Sequence, residues 1–288
     1  MRNFLYGQWV SNYGVIKEDM ILPLEEYNNF REFFTRKVQP REISQNKDEL
    51  VAPADSKILQ ISEINGDSNV LVKGINYSLG EFLTGIKDYK MEGDVLESMK
   101  KAQDKSKSKI YQAIFYLNPG DYHRYHSPCE MLVKRAWHIV GYLAPVKESY
   151  IGKTPRVYET NERIALVGEY DQGFISNVYV GATNVGSMTL TFDKNLETNR
   201  PLGLDFQKSN IREYNQKENQ ANKNQLDPIY NQKENGILVP KGAECGIFQL
   251  GSTVVLLFET QDNVEFLYKP GDKIRYGTPF VKFVKNDK

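Results

Sequence analysis

Along the chain the apolar residues change period once, early on. After Pro23, the residues Leu24, Tyr27, Phe30 and Phe34 recur at three- and four-residue steps, which predicts one buried helical face. From Val51 onward the pattern becomes short runs of Val, Ile, Tyr and Phe broken by Gly, Pro, Asn and Asp, the alternation of strands and turns. Strands are expected at Ile110 to Leu117, Phe174 to Val180, Ser187 to Phe192, Thr253 to Phe258 and Val264 to Lys269, with a short helix at Ser78 to Leu83. The predicted class is α+β, predominantly antiparallel β with a helical N-terminal region. Residues 1–45 form that region and 46–288 the main domain.

Two segments depart from this rhythm. Met1 to Leu22 mixes Phe4, Tyr6, Trp9 and Tyr13 with Arg2 and Lys17, which fits a short amphipathic segment at a lipid interface or a helix packed on its own domain. Between Thr198 and Asn235 apolar residues nearly vanish, and the hexapeptide Tyr-Asn-Gln-Lys-Glu-Asn occurs at Tyr214 and again at Tyr230. Residues 198–235 read as a solvated, disordered insertion, because such a composition buries too little surface to offset its ordering entropy. The duplication reads as drift within a loop.

Composition mainly excludes. Lys+Arg and Asp+Glu both number 37, so no field argues for a nucleic-acid partner. Two cysteines, Cys129 and Cys245, lack the paired spacing of a zinc site and fit a reducing compartment. No apolar run approaches the ~18 to 20 residues that cross a bilayer, and the N-terminus lacks the apolar core of a signal peptide. Membrane contact is therefore expected to be peripheral.

Of the 3 histidines, His123 and His126 stand together in Asp121-Tyr122-His123-Arg124-Tyr125-His126-Ser127-Pro128, the first candidate for proton transfer near neutral pH. Their spacing, with Cys129 three residues on, also suits a metal site, a reading that spacing alone does not carry. His138, in Ala136-Trp137-His138-Ile139, reads as a hydrogen-bonded core or strand residue. Near the C-terminus, Leu250-Gly251-Ser252-Thr253 runs into a β-prone stretch. Ser252 becomes chemically interesting if a histidine reaches it as base and Asp55 orients that histidine.

Seven segments in order resemble the phosphatidylserine decarboxylase family. They are Phe33-Phe34-Thr35-Arg36 with Pro40, Ala52-Pro53-Ala54-Asp55, Lys73 to Leu79, Asp121 to Pro128, Asn161-Glu162-Arg163, Val180 to Ser187, and Lys241-Gly242 leading to Leu250-Gly251-Ser252-Thr253. Ser56 stands where the family usually carries Gly, and the 198–235 insertion has no clear counterpart. The resemblance implies a proenzyme that cuts itself between Gly251 and Ser252, turning Ser252 into a pyruvoyl group. It implies Ser252 as nucleophile, Gly251 as the cleaved carbonyl, His126 as base, Asp55 as partner of His126, and His123 in the decarboxylation step. No metal and no diffusible cofactor are implied, since the pyruvoyl ketone takes up the substrate amine and serves as electron sink. The implied partners are phosphatidylserine in a membrane and the protein's own pieces, 1–251 and 252–288, as a heterodimer that could pair further. The implied place is the cytoplasmic face of the cytoplasmic membrane. Tyr268 to Phe280 also resembles barrel-sandwich, lipoyl-like hairpins, which is taken as a likeness of fold, with Lys273 a weak match to a carrier lysine. A Ser-His-Asp hydrolase built from the same residues is the enzymatic rival, and it requires an intact chain.

Overall fold

A computed structural model describes residues 2–64, 69–72, 75–87, 108–151, 153–154, 156–183, 187–199, 209–215, 229–249 and 252–285. Its strands are β1 (Glu49–Val51), β2 (Ser56–Ile64), β3 (Asn69–Val72), β4 (Ile75–Ser78), β5 (Lys109–Leu117), β6 (Arg124–His126), β7 (Met131–Ile139), β8 (Arg163–Tyr170) and β9 (Gly173–Gly181). There follow β10 (Met188–Leu190), β11 (Ser209–Glu213), β12 (Asn231–Lys233), β13 (Gly236–Val239), β14 (Glu244–Phe248), β15 (Ser252–Thr260), β16 (Asn263–Phe266), β17 (Lys273–Ile274) and β18 (Pro279–Val284). The helices are short: α1 (Arg2–Tyr13), α2 (Phe30–Phe34), α3 (Leu79–Thr84), α4 (Glu148–Ile151) and α5 (Val157–Thr160). The expected α+β, mostly antiparallel class holds.

Strand order in the large sheet is β12-β13-β7-β8-β9-β15-β5-β2-β17, with β11 also on β7. At its centre β15 is laddered to β9 on one side and to β5 on the other, and all nine of its residues are buried. A strand covered on both faces needs no polar alternation, which is why Val254 to Phe258 reads as an unbroken apolar run. Two three-stranded sheets, β1-β18-β16 and β10-β14-β6, stand apart from the large one. Phe280 and Phe283 of β18 pack against Phe115 and Phe258, while Tyr125 of β6 stacks on Tyr179 of β9. Phe115 and Tyr179 both lie opposite Val254 in register. Side chains alternate along a strand, so Ser252, Val254, Leu256 and Phe258 share the face that both small sheets cover.

Three expectations need correction. The Leu24 to Phe34 stretch is not one helix: a 3-10 turn at Leu24–Glu26 is followed by a fresh start at Phe30. Asn29 resets the chain there, its side chain accepting from Glu32 N while Glu32 takes the Asn29 amide, a reciprocal cap. The 198–235 insertion is not solvated throughout. Its described ends form β11 and β12 beside β7 and β13, and Tyr214 and Tyr230 are 2% and 4% exposed. Both hexapeptide tyrosines meet Phe192 edge-on, at 5.6 and 5.7 Å between ring centroids. Tyr214 donates to Asp193 and Tyr230 to the Glu244 carbonyl. The duplication therefore holds one aromatic from two sides, an arrangement that average polarity does not reveal.

Candidate active site

The histidine loop is gripped by segments distant in sequence. Leu117 ends β5 opposite Ser252, and a turn from Asn118 to Asp121, closed by Asp121 accepting from Asn118, leads into Tyr122 and His123. The Phe33 to Arg36 motif wraps this loop. Phe34 packs on the His123 ring at 4.0 Å, the Thr35 carbonyl accepts from Arg124, and Arg36 donates to the Gly120 and Asp121 carbonyls. From the other side Pro53 accepts the His126 backbone N–H at 2.7 Å, and Phe248 N–H donates to the His123 carbonyl at 2.9 Å.

Both histidines are buried, and a backbone carbonyl fixes the tautomer of each. His123 Nδ1 meets Asp121 O at 2.8 Å and His126 Nδ1 meets Gly242 O at 2.9 Å. A carbonyl only accepts, so each neutral ring carries its proton on Nδ1 and its lone pair on Nε2. The Gly242 carbonyl faces His126 from a left-handed turn (φ 76°) in which an added Cβ would lie 2.8 Å from Ile43, so glycine is required. Burial pushes the His126 ring down to about 4, with Arg41 and Arg124 adding to the effect and the Gly242 bond opposing it. Burial likewise takes His123 down to about 3, with Arg36 adding. Both rings are neutral bases at physiological pH.

The two differ at Nε2. That of His126 meets the Tyr122 hydroxyl at 3.1 Å, and the ring stacks on Tyr276 at 3.9 Å. That of His123 is buried without a partner among the described residues, and so is Ser252 Oγ. Orphaned buried polar atoms cost free energy and mark positions where something else is to be bound or formed. Ser252 is the first residue of the buried strand β15 and lies on the face that the histidine sheet covers.

A family model described as phosphatidylserine decarboxylase matches residues 30–282. The chain belongs to the phosphatidylserine decarboxylase family. The mitochondrial phosphatidylserine decarboxylase proenzyme of Cricetulus griseus is 32% identical over 286 residues, covering 96% of this chain and 66% of its own length. Proenzyme 1 of Schizosaccharomyces pombe, also mitochondrial, is 33% identical, covering 91% of this chain and 71% of its own. For the Saccharomyces cerevisiae proenzyme 1 the identity is 31%, with shares of 96% and 67%. The chain thus spans about two thirds of the length of these relatives.

In this family member Asp55 does not hydrogen-bond to His126, contrary to the pairing that the resemblance implied. Its carboxylate takes a bidentate contact from Arg41 and the backbone N–H of Tyr276 at 2.8 Å. Tyr276 then stacks on His126, so Asp55 sits one residue removed from the imidazole. Arg41 also pairs with Asp19 and lies over the Tyr276 ring at 4.5 Å. Gly251, Leu250, and Asn184 to Gly186 of the motif segments lie outside the described residues, as do Lys73 and Gly74.

Arg41, Tyr122 and Tyr276 were not singled out in the sequence. Arg41 directly follows the Pro40 of the leading motif and Tyr276 lies in the hairpin noted only as a likeness of fold, so position gave a signal and residue type did not. The spacing of His123, His126 and Cys129 does not converge: Cys129 lines a separate cavity of about 180 Å³ with Lys241 and Glu130. Among the described residues no three His, Cys, Asp or Glu side chains gather to hold a metal. His138 lies on β7, bonded through Nε2 to Glu162 at 2.8 Å.

Proposed function

We propose that this chain is a phosphatidylserine decarboxylase proenzyme that cuts itself between Gly251 and Ser252 and forms phosphatidylethanolamine and CO₂ from phosphatidylserine. The observation that carries this reading is the buried Ser252 hydroxyl, unpartnered among the described residues, within the family match and on the sheet face that the histidine loop covers. With His126 as base, Ser252 Oγ loses its proton and attacks the Gly251 carbonyl. The amide becomes an ester as the Ser252 nitrogen takes the proton back. Elimination of the ester leaves a carboxylate on Gly251 and a dehydroalanine at 252, and hydrolysis of the latter releases ammonia, giving pieces 1–251 and 252–288 as a heterodimer with the second headed by a pyruvoyl group.

That group supplies the electron sink that decarboxylation of an amino acid requires. The chain's part is to exclude water and manage protons. Neutral His123, its buried Nε2 lone pair without a partner among the described residues, is suited to hold the proton that Cα later receives, while Asp55 with Arg41 fixes the Tyr276 ring on which His126 rests.

A membrane surface as the source of substrate is supported by α1 and the segment after it. Tyr6 and Val10 are buried against the domain, while Phe4, Leu5, Tyr13, Ile16, Ile21 and Leu22 are exposed. No helix among the described residues is long and apolar enough to cross a bilayer. Peripheral attachment on the cytoplasmic side is the corresponding proposal, and a truncation lacking residues 1–19 should lose liposome flotation. Retained flotation would remove α1 from the contact.

Intact mass spectrometry under denaturing conditions tests the central claim. Two species, one ending at Gly251 and one beginning with a pyruvoyl group at position 252, are expected. A single full-length mass from folded, active protein would favour the Ser-His-Asp hydrolase instead.

A further inference from the structure

Asn161 and Glu162 have no part in the chemistry above, yet both are buried and both reach segments beside the proposed cut. Asn161 Nδ2 donates to the Gly181 carbonyl, and the Glu162 carbonyl accepts the Gly181 N–H, each at 2.8 Å. Both backbone groups of Gly181 are thus held, and Gly181 stands opposite Ser252 in register. The Glu162 carboxylate accepts the Asn199 N–H through both oxygens, at 2.9 and 3.1 Å. Next to Asn199, the Thr198 hydroxyl accepts the Met188 N–H at 2.7 Å and donates to the Met188 carbonyl at 3.0 Å.

Met188 opens β10, the edge of its sheet, where both of its backbone groups need a partner from outside the ladder. Thr198 meets that need with one side chain. Ser187, the residue before Met188, accepts the Gln249 N–H on its carbonyl at 2.9 Å. Gln249 and Ser252 are the described residues on either side of the proposed cut. One motif, Val180 to Ser187, therefore grips both: Gly181 faces Ser252, and Ser187 holds Gln249. Its two ends are fixed in turn by Asn161, and by Glu162 through Asn199 and Thr198. A set gap between Gln249 and Ser252 keeps Ser252 Oγ aligned with the carbonyl it attacks, and a misplacement of about 1 Å can cost a hundredfold in rate.

We propose that the Gly181 and Ser187 ends of this motif brace the chain on both sides of the cut, and that Thr198 is a positioning residue for self-cleavage, acting through Met188, Ser187 and Gln249. The proposal rests on the reading of Gly251–Ser252 as the self-cleaved bond. Thr198 acts through these residues and not on the reacting atoms. Its effect ends with the cut, because the gap governs no reaction once the bond is broken.

The test compares Thr198→Val, which keeps the shape and loses both hydrogen bonds, with Thr198→Ser, which keeps the hydroxyl. Each is made by cell-free synthesis and followed by intact mass. T198V should cut itself about tenfold more slowly than unaltered protein, and T198S within about twofold of it. Once cut, T198V should decarboxylate phosphatidylserine in vesicles at the wild-type rate per pyruvoyl-bearing molecule, counted by mass. Wild-type cutting by T198V overturns the proposal, and so does slow cutting shared by T198S. Decarboxylation lost in proportion to cutting also overturns it, as the mark of a merely structural residue. If T198V does not fold, Gly181→Ala reads the other end of the brace. An added Cβ there would lie 3.0 Å from a Leu143 methyl and 3.2 Å from the Glu162 carbonyl, so residue 181 must shift against Ser252 and cutting should slow. Cutting by G181A at the wild-type rate overturns the brace. If unaltered protein itself stays uncut, the self-cleavage reading fails; if it cuts and both T198V and G181A cut as fast, only the brace fails.

Discussion

The start of β15 and the cluster around His126 are both buried, yet they treat polar atoms in opposite ways. In the cluster each polar atom of Asp55, Tyr122 and His126 that matters chemically has a partner of fixed geometry. At the strand, Ser252 Oγ and Thr253 Oγ1 are enclosed with no partner among the described residues, although the backbone is laddered on both sides. A satisfied network specifies one rigid arrangement, whereas an orphaned hydroxyl is a stored cost that a reaction can remove. His126 is held still, and the Ser252 hydroxyl is left without a partner among the described residues.

The contrast is tested most severely by Ser252→Ala. Self-cleavage should be abolished, giving one full-length mass, while the melting temperature should hold or rise because an unsatisfied buried hydroxyl is gone. A clear drop in melting temperature would show that Ser252 Oγ does have a partner. Asp55→Ala should act in the reverse sense, costing roughly 1 to 3 kcal/mol in denaturant unfolding because Arg41 keeps Asp19 alone and the buried Tyr276 N–H loses its acceptor. If it slowed cleavage with stability intact, Asp55 would act on the chemistry and not through Arg41 and Tyr276.

Acid should weaken the cluster through both histidines. The folded rings take protons only near 4 and 3, below the usual 6.5, so the unfolded chain binds protons that the folded chain refuses. Stability is then fully present above about pH 6.5 and falls as pH drops toward 4. The raised Asp121 carboxyl opposes this within the carboxylate range. Melting curves between about pH 7 and pH 5 check the sign, and a flat profile would mean that the rings are hydrated.

Further from the site, Tyr214→Phe and Tyr230→Phe should each cost about 1 kcal/mol, one lost hydrogen bond with the Phe192 contact kept. No loss from either would return the hexapeptides to the status of solvated drift. The smallest effect is expected for Lys273→Ala, where an exposed side chain on a two-residue strand should change neither cleavage nor stability. A measurable loss there would revive the carrier likeness.

Why some of this was legible in the sequence is visible in particular residues. The apolar run after Ser252 announced β15, and Ser78 before Leu79 announced α3 because its side chain caps that helix. The histidine loop was found by residue type. Arg41, Tyr122 and Tyr276 were not, because their roles are made by partners 14 residues away for Arg41, 221 for the Tyr276 N–H, and a single helical-like step for Tyr122. Contacts of that kind leave no period in the chain. Gly242 was quoted within a motif, but that its carbonyl fixes the His126 tautomer depends on a turn that only coordinates reveal. The insertion misled because two tyrosines decide its ends while the average composition describes only the remainder.

The position of β15 between β5 and β9 has a consequence for the lifetime of the molecule. A cut before Ser252 removes one covalent bond from a strand that is hydrogen-bonded along both edges, so the shorter piece stays embedded. Unfolding from that point becomes dissociation. A chain that folds as one molecule would have to reassemble as two, at a rate that depends on dilution, and with an N-terminus that the first folding never had. Cut there as proposed, the protein would be a kinetic inheritance of the uncut fold, and heat-denatured cut protein should recover poorly where heat-denatured S252A recovers well.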